Sequence, residues 1–131
     1  MTKMLSMAQA TDQVNVVADQ IGRPTFAGDL ANACLAVASS SSNRGIYHVS
    51  GTGSAISWAD FAEAIFSHTS KPTSVNRIST SSLNLKASRP PYSVLDNSSF
   101  EDEFHFAMPG WKDGLQSALS EITQTEDQNP T

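Results

Sequence analysis

At 131 residues the chain is long enough to bury roughly two-thirds of its unfolded surface around one hydrophobic core, so a single compact domain is the first expectation. A formal charge of -5, from 8 basic and 13 acidic residues with no Lys/Arg run, lacks the basic footprint of a nucleic-acid binder and argues against nucleic acid and anionic membranes as partners. No segment approaches the ~20 apolar residues of a membrane span, and Met1 to Ala10 does not follow the charged, apolar, cleavable order of a secretion signal.

Met4, Leu5 and Ala8 predict a short amphipathic helix over the first ten residues, followed by an apolar strand from Val14 to Val17. Gly22-Arg23-Pro24 breaks the chain. Leu30, Ala33, Cys34 and Val37 then recur at i, i+3, i+4 and i+7, which predicts a helix with these four on its buried face. Cys34, the one cysteine, is expected there as a small buried hydrophobe in a reducing, cytoplasmic protein. Ser39 to Asn43 reads as a loop. Gly45-Ile46-Tyr47-His48-Val49 is a β-rich run closed by Ser50-Gly51-Thr52-Gly53. Ser57 and Asp60 have capping-box spacing ahead of Trp58, Phe61, Ala62, Ile65 and Phe66, a helix start followed by an apolar stripe. Pro72 ends that region, Val75 to Ile78 is a short strand, and Ser79 to Ser82 is a loop or a helix cap. Arg89-Pro90-Pro91-Tyr92 leads through Asp96-Asn97 into a short acidic helix over Ser98 to Phe104. Pro109 opens a last helix striped by Trp111, Leu115, Ala118, Leu119 and Ile122, and 123–131 reads as a flexible, solvated tail. Strands alternating with helices, without an internal repeat, give an α/β class, with the folded domain over 1–122.

Few residues carry a chemical signature. Gly51-Thr52-Gly53 sits between a strand and a helix, but the third glycine of a dinucleotide fingerprint would fall at Ile56. No serine sits in a nucleophile elbow. His48, His68 and His105 have neither the i, i+4 pairing nor the cysteine partners of a zinc site. Glu101-Asp102-Glu103 is a solvated charge run, since adjacent helical residues point apart. Two places present side chains on a restrained backbone: Gln20 to Thr25 and Arg89 to Tyr92. In each, an arginine beside a proline is held where its guanidinium can take a phosphate through paired hydrogen bonds. The alternative is that Arg23 and Arg89 pair with carboxylates or water.

Five segments in register, Asp19 to Thr25, Gly45 to Gly51, Ser57-Trp58 with Phe61-Ala62, Arg89 to Asn97, and Pro109-Gly110-Trp111, resemble the C-terminal half of dTDP-4-dehydrorhamnose reductase, an extended short-chain dehydrogenase. The resemblance runs to about residue 122. It implies a substrate-binding domain of mainly helices with a few short strands, from which the N-terminal Rossmann half is absent. The family reduces dTDP-4-dehydro-L-rhamnose to dTDP-L-rhamnose with NADPH or NADH, held mainly by that Rossmann half. Its catalytic Tyr-x-x-x-Lys is not present: Tyr47 is followed four residues on by Gly51, and Tyr92 by Asp96. The chain alone is therefore expected to be inactive, with no catalytic, cofactor-binding or metal residues assigned.

For the dTDP-sugar the resemblance implies Gln20, Arg23, Pro24 and Thr25 at the mouth of the cleft between the halves, with Arg89, Pro90 and Tyr92 on the second segment. Ser88 departs from the pattern, because many members have a second basic residue there. The family further implies the Rossmann half as a partner, a homodimer, and Mg2+ between subunits through carboxylates that the sequence does not identify. An apolar surface normally covered by the Rossmann half implies self-association of the separate part. A different class with the same ancestry is a non-catalytic regulatory module, like the regulatory subunit of methionine adenosyltransferase.

Overall fold

The computed structural model describes residues 1–40, 45–83 and 86–128, the last four of them as backbone only. In chain order the elements are α1 (Thr2–Ala10), β1 (Gln13–Val17), β2 (Ile21–Gly22), α2 (Ala27–Ser39), β3 (Ile56–Ser57), α3 (Trp58–Phe66), β4 (Ser74–Ile78), a 3-10 turn (Thr80–Ser82), α4 (Ser98–Phe104) and α5 (Trp111–Gln128). Among the described residues, five helices and four short strands fit the expected α/β class of mainly helical character. The chain divides into two compact units: Met1–Gly22 with Ala55–Val94, and Arg23–Ser54 with Leu95–Thr131.

In the first unit, Val14, Val16 and Val17 of β1 are buried while Gln13 and Asn15 face outward, the alternation of a strand with one covered face. β1 pairs in parallel with β4, from Gln13 opposite Ser74 to Val17 opposite Ile78, and Asn76 Nδ2 donates to Asn15 Oδ1 at 2.7 Å across the pair. α3 covers the strands. Ala59, Phe61, Ala62, Ile65 and Phe66 are its buried residues, and each large apolar side chain withdrawn from water contributes about 1.5–3 kcal/mol. The predicted capping box starts the helix: the Asp60 N–H donates to Ser57 Oγ at 3.1 Å and the Ser57 N–H returns to Asp60 Oδ2 at 2.8 Å, pairing donors that the first turn leaves without helical partners. From β4, Arg77 reaches Asp60 at 2.7 Å and Glu63 at 3.0 Å. The Ser57 hydroxyl first, then Arg77, hold the Asp60 carboxyl at about 2, below its ordinary 3.8. Trp58, in phase with the stripe, is 46% exposed because it occupies the first helical position.

In the second unit, Ala33 of α2, Phe100 of α4 and Met108 form a buried cluster, with Tyr47, Val49, Phe104 and Phe106 packed on it. Phe100 stacks tilted on Phe104 at 5.2 Å between centroids, and Tyr47 meets Phe104 edge-on at 4.9 Å, geometries that aromatic rings favour. His105 ends α4 in the left-handed conformation (φ 49°). Three expectations are corrected here. Of the four residues expected on the buried face of α2, only Ala33 is buried; Leu30 and Val37 are 40% and 39% exposed and Cys34 is exposed. Periodicity marked an apolar stripe, but within this unit only one row of the helix meets a partner. Residues 45–49, expected as a strand, belong to no ladder. The expected tail is helical as far as Gln128, since α5 continues past Ile122. The expected loop at 41–43 and residues 129–131 lie outside the described residues.

Candidate functional site

Of the seven residues expected to meet a ligand, Gln20, Arg89, Pro90 and Tyr92 belong to the first unit and Arg23, Pro24 and Thr25 to the second. In the first unit Ile21 is the organising residue. On one side β2 pairs antiparallel with β3, Ile21 opposite Ser57. On the other, the Ile21 N–H donates to Pro91 O at 2.8 Å and the Ser93 N–H donates to Ile21 O at 2.9 Å, a parallel bridge to Tyr92. The bridge is compatible with the prolines because it takes only a carbonyl from Pro91, which has no N–H to give. Gln20 and the 89–92 segment are thereby brought side by side.

Gln20 Nε2 donates to Thr80 Oγ1 at 3.0 Å, and that hydroxyl donates to Asp19 Oδ1 at 2.6 Å. The Thr80 hydroxyl, then its N–H, lower the Asp19 carboxyl from its ordinary value. The carbonyl of Gln20 accepts from the Trp58 N–H at 3.3 Å. Tyr92 is 62% exposed, and Arg89 and Pro90 are exposed. Arg89 makes no hydrogen bond or ion pair among the described residues, whereas Lys71 and Arg77 of the same unit are engaged by Asp12 and by Asp60 and Glu63. Arg89 is thus an exposed cation with no internal partner among the described residues. Trp58 is an exposed aromatic beside Gln20 that sequence periodicity assigned to the core; nothing in the spacing separates it from the buried stripe.

In the second unit Arg23 is engaged by a backbone carbonyl, a partner neither reading named. Its Nη1 donates to Leu95 O at 3.3 Å, and its charge, with that of His48, adds to the Ser98 hydrogen bonds that hold the Asp96 carboxyl down. Its Nε is buried without a partner among the described residues. Thr25 Oγ1 accepts from the Gly51 N–H at 2.9 Å. Gly51 is a required glycine, because a Cβ there would overlap the Pro24 carbonyl oxygen. Pro24 and Thr25 thus lock the turn to the Gly51 loop, while Thr25 remains exposed.

The motif residues that sequence reading quoted without a role are structural. Asn97, 5% exposed, accepts from the Ser50 N–H at 3.1 Å and donates to Ser50 O at 2.6 Å, standing in for a neighbouring strand. Thr52 bridges Gly110, with the Thr52 N–H donating to Pro109 O at 2.9 Å and the Trp111 N–H to Thr52 O at 3.0 Å. Gly53, in the left-handed region at φ 94°, lies against the Trp111 ring. With both glycines of 51–53 facing protein atoms, this loop does not fit a dinucleotide pyrophosphate, which needs open backbone N–H groups. Among the described residues no group of three His, Cys, Asp or Glu is placed to hold a metal ion, and no helix is long and apolar enough to cross a membrane. A shallow depression of about 500 Å3 beside Asp12, Glu63 and Phe66 contains none of the seven residues.

Residues 1–124 match the RmlD substrate binding domain family. A dTDP-4-dehydrorhamnose reductase of Sinorhizobium fredii is 40% identical over 87% of this chain and 42% of its own length. The spore coat polysaccharide biosynthesis protein SpsK of Bacillus subtilis is 37% identical over 95% of this chain and 42% of its own. The crystal structure of dTDP-4-dehydrorhamnose reductase from Bacillus anthracis in complex with NADP superposes with a TM-score of 0.83, at 35% identity, over 92% of this chain and 42% of that one. The chain therefore spans about two-fifths of the length of these relatives. With the family matched over nearly the whole chain and the fold shared with its solved members, the chain belongs to the RmlD substrate binding domain family.

Proposed function

We propose that this chain is the sugar-nucleotide-binding part of an NAD(P)H-dependent reductase that converts dTDP-4-dehydro-L-rhamnose to dTDP-L-rhamnose. The match of residues 1–124 to a substrate-binding family whose named relatives include such reductases carries the reading. The 89–92 segment supports it: tied through Ile21 to Gln20, it presents Arg89 as a guanidinium without a partner among the described residues, the group best shaped for paired hydrogen bonds to a diphosphate. Tyr92 and Trp58 are exposed rings in the same unit, able to stack on a base or cover a sugar face. Gln20, steadied through Thr80 and Asp19, is a positioned amide for a sugar hydroxyl.

Ketone reduction also needs a held nicotinamide and an acid to protonate the new alkoxide. No Tyr-x-x-x-Lys pair exists in these 131 residues, and the 51–53 loop does not fit the cofactor. The chemistry therefore belongs to the rest of the reductase, and these residues bind and orient the sugar nucleotide. The NADP in the Bacillus anthracis relative's structure supports a nicotinamide cofactor for the whole reductase. Calorimetric titration with dTDP-L-rhamnose tests the reading. Saturable binding that dTDP displaces and free rhamnose does not is the expected result; a full-length form that binds no dTDP-sugar refutes it. An NADPH-oxidation assay showing turnover by the 131 residues alone would refute the division of roles.

A further inference from the structure

The Thr80 hydroxyl has one proton and two lone pairs to share. Its proton goes to Asp19 Oδ1 at 2.6 Å, and the Thr80 N–H lies 2.9 Å from each oxygen of the same carboxylate. An ionised carboxylate only accepts, and these bonds hold the Asp19 carboxyl below its ordinary value. Thr80 Oγ1 therefore has only lone pairs left to offer Gln20, and the Gln20 amide must meet it nitrogen first, as it does through Nε2 at 3.0 Å. One charge thus sets the direction of the whole chain of bonds. At the other end of the amide, Oε1 makes no hydrogen bond among the described residues and keeps both lone pairs. The backbone is held as well: the Gln20 carbonyl accepts from the Trp58 N–H at 3.3 Å, and the next residue, Ile21, is paired to Ser57 on one side and bridged to Tyr92 on the other. An amide free to turn over presents nitrogen and oxygen interchangeably; this one is half-buried and offers its oxygen.

We propose that Asp19 and Thr80 are positioning residues that lock the Gln20 amide as an acceptor for a ring hydroxyl of the sugar nucleotide. The inference rests on the sugar-nucleotide reading and deepens it. A locked acceptor discriminates, since a ligand oxygen that carries no proton gains no bond from Oε1 and is repelled by it. The ketone oxygen at C4 of dTDP-4-dehydro-L-rhamnose is such an oxygen, and the product carries a hydroxyl in its place. An acceptor that serves substrate and product alike must therefore address a hydroxyl that the reduction leaves unchanged, at C2 or C3 of the ring. A bond made equally before and after the reaction holds the sugar without favouring the chemical step. Asp19 touches no ligand in this arrangement; its charge acts through Thr80.

Paired calorimetric titrations with dTDP-L-rhamnose and with dTDP test it, on this chain or, if the chain alone gives no heat, on a full-length form. Thr80→Val, nearly the same shape without the hydroxyl, is expected to weaken dTDP-L-rhamnose by about 5-fold, the worth of one neutral hydrogen bond, and to leave dTDP unchanged. Thr80→Ser is expected to restore the affinity. Asp19→Asn gives Thr80 a donor as well as an acceptor, so the chain of bonds can run either way; with about half the molecules in the productive orientation, the sugar nucleotide alone loses about twofold. Equal loss for both ligands overturns the proposal, because a merely structural role or a contact with the nucleotide moves both; so does no loss for either. The lock is also read without ligand: the Gln20 Nε2 protons should show a nuclear Overhauser contact to the Thr80 methyl that weakens in Asp19→Asn, and its absence from the unaltered chain overturns the lock. If neither the chain nor a full-length form binds a dTDP-sugar, the sugar-nucleotide reading fails and the assigned hydroxyl with it, an outcome distinct from a missing Overhauser contact.

Discussion

Asn97→Ala removes the side chain that stands in for a neighbouring strand at Ser50. Asn97 is 5% and Ser50 6% exposed, so water cannot easily replace the lost partner. Asn97 accepts from the Ser50 N–H at 3.1 Å and from the Ser50 hydroxyl at 3.2 Å, and donates to Ser50 O at 2.6 Å. The hydroxyl can turn to Gly51 O, at 3.3 Å, but the N–H and C=O are left stranded. Each buried group without a partner costs about 1–3 kcal/mol, so the expected loss is about 3 kcal/mol. At a urea dependence of about 1–1.5 kcal/mol per molar, the midpoint falls by roughly 2–3 M. The probe is Trp111 fluorescence in a Trp58→Phe background, because Trp111 is 7% exposed and lies in the same unit as Asn97. Asn97→Asp keeps an acceptor for the N–H but turns a carboxylate towards Ser50 O, and it should destabilise at least as much. A loss below about 0.5 kcal/mol for Asn97→Ala would show that the two backbone groups find other partners, and the strand-substitute reading would fail.

Four further outcomes are expected. Arg89→Ala should weaken dTDP-L-rhamnose binding by roughly 10- to 100-fold, the worth of one charge-assisted hydrogen bond, with Arg89→Lys intermediate; unchanged calorimetric affinity would return Arg89 to a surface role. The Asp60 carboxyl, held at about 2 against an ordinary 3.8, contributes stability that is fully present above pH 4 and is lost as pH falls towards 2. Asp60→Asn should therefore flatten the acid limb of the urea midpoint between pH 4 and 2, modestly because the carboxyl is partly exposed; an unaltered limb would contradict the assignment. Gly51→Ala drives a methyl into the Pro24 carbonyl oxygen and should cost about 2 kcal/mol or more, readable as a lower thermal midpoint, whereas a neutral result would mean that the turn at 23–25 moves freely. Exposed Cys34 should react with a thiol-specific chromogenic reagent in the native protein at the rate found in urea, and a rate at least tenfold slower would restore the burial expected from its position.

Local signals were legible wherever the residues that make an element also satisfy it. Ser57 and Asp60 cap α3 with their own side chains, and the proline and periodicity near Pro109 place α5, so both starts could be read without tertiary knowledge. β1 was visible for the same reason, since its alternating valines mark a covered face whatever covers it, and β4 through the β propensity of Val75 and Ile78. The misjudged elements are those whose partners are remote. The stripe of α2 was read correctly as apolar, but apolar spacing does not say whether a covering surface is in the same chain. Residues 45–49 carry β propensity, and propensity supplies no neighbouring strand. At the candidate site, an arginine beside a proline was equally consistent with a phosphate and with an internal partner at both positions. Arg23 meets Leu95 O, whereas Arg89 has no partner among the described residues, a difference set by tertiary neighbours that the local sequence does not encode. Trp58 escaped notice because it keeps the phase of a buried stripe while lying at the helix end.

The two units interleave along the sequence, and that has a consequence for the order in which they are made. The parallel partners β1 and β4 lie at 13–17 and 74–78, so the first strand leaves the ribosome and must wait for more than fifty residues before its mate exists. In the interval the segment Arg23–Ser54 is synthesised, though its own complement begins only at Leu95. The first unit can close around a looped-out excursion, at a closure entropy that grows only slowly with loop length. The excursion itself, with α2 and the 45–49 segment, stays without Phe100, Met108 and Trp111 until those residues are made. Its apolar helix and the unpaired 45–49 segment are then the surfaces most open to misassociation on the nascent chain.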